Sequence, residues 1–432
     1  MKTLLIVGYV WPEPNSSAAG SRMMELIHCF LRDGWRVVFG SAAALSEHRA
    51  DLTALGVREQ SIALNDSSFD DFLIGLKPDA VLFDRFFSEE QFGWRVERAC
   101  PQALRILDTE DLHSLRHIRQ QLLKRAQKKA ETEMARQSLD PLLAEPGELY
   151  AAMAGDDMAQ REIAAIYRCD LSLMISHYEI NLLVNYFSVP PQLLHYCPFL
   201  AIDIPTLESL PAFSQRQHFI SIGNFRHEPN WDAVLYLKHA IWPKIRAQLP
   251  HAELWIYGAY PPPKATQLHN AKQGFLVKGW AGNALQVMQA ARVCLAPLRF
   301  GAGIKGKLLD AMRTATPSVT TAIGAESMSG DLGWGGAVEN SAQTFADAAV
   351  KLYSDELCWR NAQQQSLQIL QRHYAQENHA DLLLMRIHRI QENIEEQRQQ
   401  NFVGAMLRHH LHKSTQYMSQ WIEAKNAKHN SD

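Results

Sequence analysis

The sequence predicts an α/β protein of two domains, each built on a mostly parallel sheet, with helices at the C-terminal end. Three observations carry this. The chain has 432 residues, too many for one ordinary core. Short apolar runs alternate with helical patterns through the first half, as βαβ units do. The same rhythm restarts after a break at residues 204–214 that holds two prolines and no periodicity.

In the first half the expected strands are Leu4–Val7, Val37–Gly40, Ala80–Phe83, Arg105–Leu107 and Leu171–Ile175. The run TLLIVG directly after Met-Lys is too short for a signal peptide and reads as a buried first strand. From Ser21 to Leu31, Met24, Ile27 and Leu31 fall at helical spacing. A helical excursion over about residues 115–165 then breaks the rhythm. Its first part, HIRQQLLKRAQKKAETEMAR, is basic and has few large apolar residues after Leu123. It reads as a solvated excursion, or as a basic arm for an acidic acceptor or membrane headgroups. The first domain is expected over residues 1–205.

The segment IPTLESLPAFS reads as the linker, and a second domain is expected over 213–380. Its strands are placed at Phe219–Ile222, Glu253–Tyr257, Phe275–Lys278, Val293–Ala296 and Ser318–Thr321. Residues 381–432 form a helical tail without strands. Its last part carries Val403, Leu407, Leu411, Met418 and Ile422 near helical spacing, with Arg408, His409, His410, His412 and Lys413 along it. That amphipathic pattern is expected to dock on the body, with membrane contact as the sharper alternative.

Hydrophobic residues make up 47% and charged residues 21%, an ordinary globular balance. A net charge of −3 supplies no global field toward nucleic acid, and none is expected as partner. The cysteines at 29, 100, 169, 197, 294 and 358 form no C-x-x-C pair, so buried free thiols and a reducing cytoplasm are expected. No apolar stretch approaches the roughly 18 residues that a membrane span needs.

In open parallel sheets, ligands bind outside the carboxyl ends of the strands, so the strand-exit loops hold the candidates. After the first strand, the small residues Ser16 to Ser21, Gly20 among them, let a backbone approach a ligand and open a helix. Asp84 and Arg85 follow the strand at 80–83, where a buried charge must be used or paired. Asp108, Glu110, Asp111 and His113 crowd the next exit; they form a substrate site, or Asp111 caps the next helix. In the second half, Gly223 and Asn224 make a turn, and Arg226 and His227 can reach a phosphate. The stretch APLRFGAGIKGKLLDAMRTATPSVTTAIGAESM carries Arg299, Lys305 and Lys307 on a glycine-spaced loop with a helix beginning near Ile304. Three cations at a helix N-terminus suit a diphosphate, and Asp310 can accept bonds from ribose hydroxyls.

This stretch, with ISIGNFRHEPNWDAV and GNALQVMQAARVCLAPLRF, resembles the donor half of retaining GT-B glycosyltransferases, more closely the bacterial surface-polysaccharide members of group 1. The residues that carry the resemblance are Pro297, Leu298, Arg299, Gly301, Gly303, Lys307, Asp310, Ala311 and Met312, then Pro317, Val319 and Thr321, then Gly324, Ala325 and Glu326. In the first half, Asp108, Asp111, His113 and Arg116 match a looser Asp-x-x-Asp-x-His-x-x-Arg stretch. Where many relatives carry two glutamates separated by seven residues, this chain has Ala302 and Asp310.

The resemblance implies two facing Rossmann-like domains and C-terminal helices. It implies sugar transfer from a nucleotide-sugar donor with retention, in glycan or polysaccharide biosynthesis, with no cofactor and no metal. Asp108, Asp111 and His113 are the expected catalytic residues. Gly20, Gly223, Arg226, Arg299, Gly303, Lys305, Lys307, Asp310 and Glu326 are the expected donor-binding ones. The acceptor is a glycan, lipid-linked or protein group. The expected location is cytoplasmic, with peripheral contact at the inner face of the membrane as an option. The alternative is a non-catalytic GT-B-like protein that binds a sugar nucleotide or a partner.

Overall fold

A computed structural model describes residues 1–409 and 413–429. It contains two parallel sheets. The first holds β1 (Thr3–Gly8), β2 (Arg36–Ser41), β3 (Arg58–Ser61), β4 (Ala80–Asp84), β5 (Leu104–Asp108), β6 (Leu171–Met174) and β7 (Leu194–Tyr196), in the order β3-β2-β1-β4-β5-β6-β7. The second holds β8 (Gln217–Ile222), β9 (Leu254–Tyr257), β10 (Phe275–Gly279), β11 (Ala291–Ala296), β12 (Ser318–Thr320) and β13 (Gly336–Val338), in the order β10-β9-β8-β11-β12-β13. Every expected strand is present. The sequence reading missed β3, β7 and β13, which are the edges at 58–61, 194–196 and 336–338.

Both faces of the first sheet are covered, which is why β1 is an unbroken apolar run. Leu5 and Val7 point into one core with Phe83 and Leu107, while Leu4 and Ile6 point into the other with Phe39 and Ala80. The strand order reverses between β1 and β4, and again between β8 and β11. Such switch points leave a crevice at the strand carboxyl ends.

Residues 197–216 between the sheets contain two short 3₁₀ turns, at Leu207–Ser209 and Phe213–Gln215, and an isolated bridge from Ala201 to Ala375. The helix Ala380–Glu392 returns to the first sheet and buries Leu383, Ile387 and Ile390 beside Leu4 and Ile6. The tail is therefore part of the N-terminal core.

The excursion forms helices at His113–Lys129, Glu133–Gln137, Pro146–Ala154 and Asp157–Arg168. It is more than a solvated loop. Asp140 accepts hydrogen bonds from the Tyr236 hydroxyl at 2.6 Å and the Ala342 amide at 3.2 Å, both in the second domain. Lys124, Arg125, Lys128 and Lys129 stay exposed on its outer face.

The tail docks on the body, but not by the expected apolar stripe. Gly404 packs against the Tyr167 carbonyl, and Ser419 accepts a hydrogen bond from Arg95 at 3.2 Å. Phe402, Tyr417, Met418 and Trp421 are exposed instead. His410, Leu411 and His412 lie outside the described residues. All six cysteines are free, four of them buried. Among the described residues no helix is long and apolar enough to cross a membrane.

Candidate active site

A cleft of about 620 Å³ opens between the two sheets at the carboxyl ends of their strands. The N-terminal wall is built from the loop after β1 and from the exits of β4 and β5. The C-terminal wall comes from the exits of β8, β9 and β11. Each wall has its own polarity. Asp84, Glu110 and Asp111 stand on the N-terminal side with Arg85 and Arg116, while Lys305, Lys307 and Arg226 stand on the other.

On the C-terminal wall, the glycine-spaced loop after β11 leads into the helix Gly306–Arg313, whose first turn has no side-chain cap. Its N–H groups and dipole are thus left for an anion. Lys305 is buried and donates to the Gly303 carbonyl at 2.6 Å; Lys307 is partly buried and donates to Asn230 Oδ1 at 2.7 Å. Among the described residues neither lysine makes an ion pair. Burial lowers both ammonium groups to about 8. Asp310 lies one turn further along the cleft wall, and burial raises its carboxyl to about 6. The Asn230 side chain fills the space where Gly223 lacks a Cβ. Asn230 is a site residue that the sequence reading passed over, although it opens the helix that His227 precedes.

Arg226 lies over the Tyr260 ring at 3.7 Å, and Tyr260 donates to Glu13 at 2.9 Å across the cleft. Trp280 stacks on His48 with ring centroids 4.3 Å apart. These contacts join the domains along one rim.

On the N-terminal wall, Asp111 and His113 line the cleft as expected. Burial alone would raise the Asp111 carboxyl, but Arg116 and His113 outweigh it and hold the group below its ordinary range. Asp111 does not cap the following helix. The amides of Leu112 and His113 donate instead to Glu179 at 3.0 Å and Glu162 at 2.9 Å, two acids from distant helices. His113 Nδ1 lies 3.2 Å from the Asp111 carbonyl and 3.3 Å from its carboxylate. A proton on Nδ1 satisfies both and leaves Nε2 as an acceptor.

Four expected site residues fall elsewhere. Asp108 does not reach the cleft. It is fully buried and clamped by Arg22, with Nη2 to Oδ1 at 2.8 Å and Nε to Oδ1 at 3.0 Å. Arg22 also holds the carbonyls of Cys197 and Pro198 at 2.7 and 3.1 Å. Arg299 points away from the cleft, paired with Asp232 at 2.5 Å and donating to the Leu139 carbonyl at 3.1 Å. It fastens the excursion to the second domain. Glu326 is bound by Arg119 of the first domain at 2.6 and 2.9 Å. Gly303 has φ of 61° and gives its amide to Glu179 at 2.8 Å; a Cβ there would strike Asp111. Glu326 and Gly303 are ties between domains. Gly20 does line the cleft, and its missing Cβ makes room for the Glu13 backbone.

Two facing parallel-sheet domains with the cleft between them define a GT-B-fold protein. The family model for glycosyl transferases group 1 matches residues 216–355, which hold the C-terminal sheet. Similar solved structures include sucrose-phosphate synthase from Thermosynechococcus elongatus, at 14% identity and TM-score 0.58, covering 90% of this chain and 98% of that one. S. aureus TarM, solved as a variant with fondaparinux, alpha-GlcNAc-glycerol and UDP, gives 8% identity and TM-score 0.63 over 90% of this chain and all of that one. Anabaena HepE with UDP and glucose gives 11% and 0.61, covering 89% and 99%. At such identities the likeness fixes the fold. No curated protein matches the sequence.

Proposed function

We propose that this chain transfers a sugar from a nucleotide-sugar donor to an acceptor with retention of configuration, in glycan or polysaccharide biosynthesis. One observation carries the reading. Among the described residues, Lys305 and Lys307 lie in the cleft without a carboxylate at ion-pair distance, at an uncapped helix N-terminus. Two such cations are costly unless an anion completes them. A donor diphosphate does so, with Asp310 placed for ribose hydroxyls. The UDP in the TarM and HepE structures supports the same assignment. The departing phosphate can take the acceptor proton, with Asp111 and His113 on the facing wall to orient the acceptor and stabilise positive charge on the sugar. The reaction needs no metal or cofactor in this reading.

A thermal-shift screen of UDP, GDP, ADP and CMP sugars identifies the donor. Lys307→Ala is then expected to weaken its binding by about 1.5–3 kcal/mol, the size of a charge-assisted hydrogen bond. Unchanged affinity by calorimetry removes Lys307 from the site.

Ala302, buried where relatives carry a glutamate, favours the second reading of a non-catalytic sugar-nucleotide-binding protein. Donor hydrolysis or transfer by the purified protein separates the two. The exposed Phe402, Tyr417, Met418 and Trp421 of the tail support peripheral contact with a membrane, at its cytoplasmic face.

A further inference from the structure

Beside Asp111, the N-terminal wall holds a second set of groups that donor binding leaves idle. At the exits of the neighbouring strands β4 and β5, Arg85 and Glu110 both have left-handed backbone, with φ of 68° and 63°. Both line the cleft. Among the described residues the Glu110 side chain has no hydrogen bond, and its Oε1 is buried without a partner. Asp84 shares part of the condition: Oδ2 accepts the Tyr9 amide at 3.0 Å, while the buried Oδ1 accepts no hydrogen bond and has only the Arg85 Nε ion contact at 3.6 Å. Asp108, two residues before Glu110, shows what a structural carboxylate looks like in this place, since Arg22 grips it by two nitrogens. Buried polar atoms in folded proteins are nearly always paired. Two without a hydrogen bond on one cleft wall, Glu110 on left-handed backbone and Asp84 directly before the left-handed Arg85, point to a ligand that supplies the donors.

We propose that Glu110 and Asp84 form the acceptor subsite, and that the reacting end of the acceptor is a neutral sugar ring rather than a phosphate. This rests on the cleft being a glycosyl-transfer site and specifies its acceptor half. Sugar hydroxyls donate to the open carboxyl oxygens. Tyr9, 45% exposed and held between Arg85 at 5.3 Å and Phe87 at 5.6 Å, offers a ring face for the sugar to lie against. A phosphate would instead meet Asp84 and Asp111, whose arginines, Arg85 and Arg116, are already engaged with them. Burial, with the carboxylates of Asp108 and Asp84 nearby, pushes Glu110 well above its ordinary range. It therefore keeps a proton to higher pH and can donate to a sugar oxygen as well as accept.

The test is saturation-transfer NMR on the full chain with UDP present. The probes are a panel of methyl hexopyranosides and, as the anionic counterpart, glycerol 3-phosphate. The methyl glycosides should receive saturation and glycerol 3-phosphate should not. Glu110→Ala should weaken glycoside binding about tenfold, the loss of one or two hydrogen bonds, and Glu110→Gln should restore most of it. UDP affinity by calorimetry should stay at the parent value in both. If Glu110→Ala does not fold, Tyr9→Ala, on an exposed ring, carries the same expectation. Stronger saturation of glycerol 3-phosphate, or parent-like glycoside binding by the variant, overturns the proposal. Failure of the parent to bind any nucleotide overturns the glycosyl-transfer reading beneath it, a different result.

Discussion

Arg22 and Asp108 show how a charged pair can sit beside a cleft and serve only the fold. The guanidinium and carboxylate are 1% and 0% exposed and meet at 2.8 Å. Removing one partner leaves the other charged in a dry place. Asp108→Ala should therefore cost about 3–5 kcal/mol in a denaturant titration. His113→Ala should melt near the parent temperature and lose transfer by about 10²–10⁴-fold, the usual share of a positioned acid or base. Equal stability of the two variants would undo the distinction. The crowded exit of β5 was legible in the sequence, because charges that directly follow an apolar run stand out. The division of labour within it was not. Arg22, Glu162 and Glu179, which settle each acid's part, come from helices far off in the chain. One signal was available: Arg22 falls among Met23, Leu26 and Ile27 on the buried face of its helix, where a cation needs a partner.

The lysines give the residue scale a pH dependence. Burial lowers Lys305 and Lys307 from 10.5 to about 8. Between about pH 8 and 10.5 the unfolded chain thus binds more protons than the empty folded one. The stability of the empty protein rises with pH across that window through these two groups. A bound diphosphate reverses the balance by restoring the ammonium charge. Nucleotide binding should be strongest below pH 8, weaken above it and take up protons near pH 8. Calorimetry in buffers of different ionisation enthalpy reads that uptake directly. Proton release, or affinity independent of pH between 7 and 9, would contradict it.

At the scale of elements, the cleft depends on how closely two helix starts approach. A Cβ on Gly306 would lie 2.5 Å from the Ala18 Cβ, where the helices Gly306–Arg313 and Ala18–Arg32 meet across the domains. Gly306→Ala should then cost about 1–3 kcal/mol of overpacking and weaken nucleotide binding, since Lys307 moves with its helix. Adding Ala18→Gly should recover much of both losses, because the two changes act on one gap. Additive losses in a double-mutant cycle would show that the contact is not the cause. The loop glycines were visible in the sequence as a glycine-spaced loop beside cations, suited to a diphosphate, yet Gly303 and Gly306 serve the domain contact. Spacing alone does not tell a glycine that admits a ligand from one that admits another helix. Strands followed the same logic. The central ones read clearly because both their faces are apolar. β3, with the sequence REQS, and the three-residue β7 and β13 are edges held by their neighbours' backbone, so their side chains carry little pattern.

For the whole molecule, the order of the chain and the order of the core differ. The polypeptide leaves the first sheet at β7, builds the second, and then returns to finish the first. The returning segment supplies Leu383, Leu384, Ile387, Ile390 and Ile394 to the core that holds Leu4, Ile6 and Phe39. Five such side chains are worth about 1.5–3 kcal/mol each when fully buried, so on the order of 7–15 kcal/mol together as an upper bound. That equals the entire stability of an ordinary domain, about 5–15 kcal/mol. A fragment of residues 1–205 should therefore not fold alone. It should bind a hydrophobic dye, show no cooperative melting, and gain a melting transition when a peptide of residues 379–400 is added. An ion pair and a hydrogen bond reinforce the return: Arg398 reaches Asp170 at 2.8 Å, and its Nη1 donates to the Pro101 carbonyl at 2.5 Å. An Arg398→Ala peptide should thus restore less of the transition than the parent peptide. The tail's polarity hid this from the sequence, since the five apolar residues lie between exposed Leu382, Met385 and a run of charges. Cooperative folding of the 1–205 fragment without the peptide would show that the first sheet closes its own core and that the returning helix only decorates it.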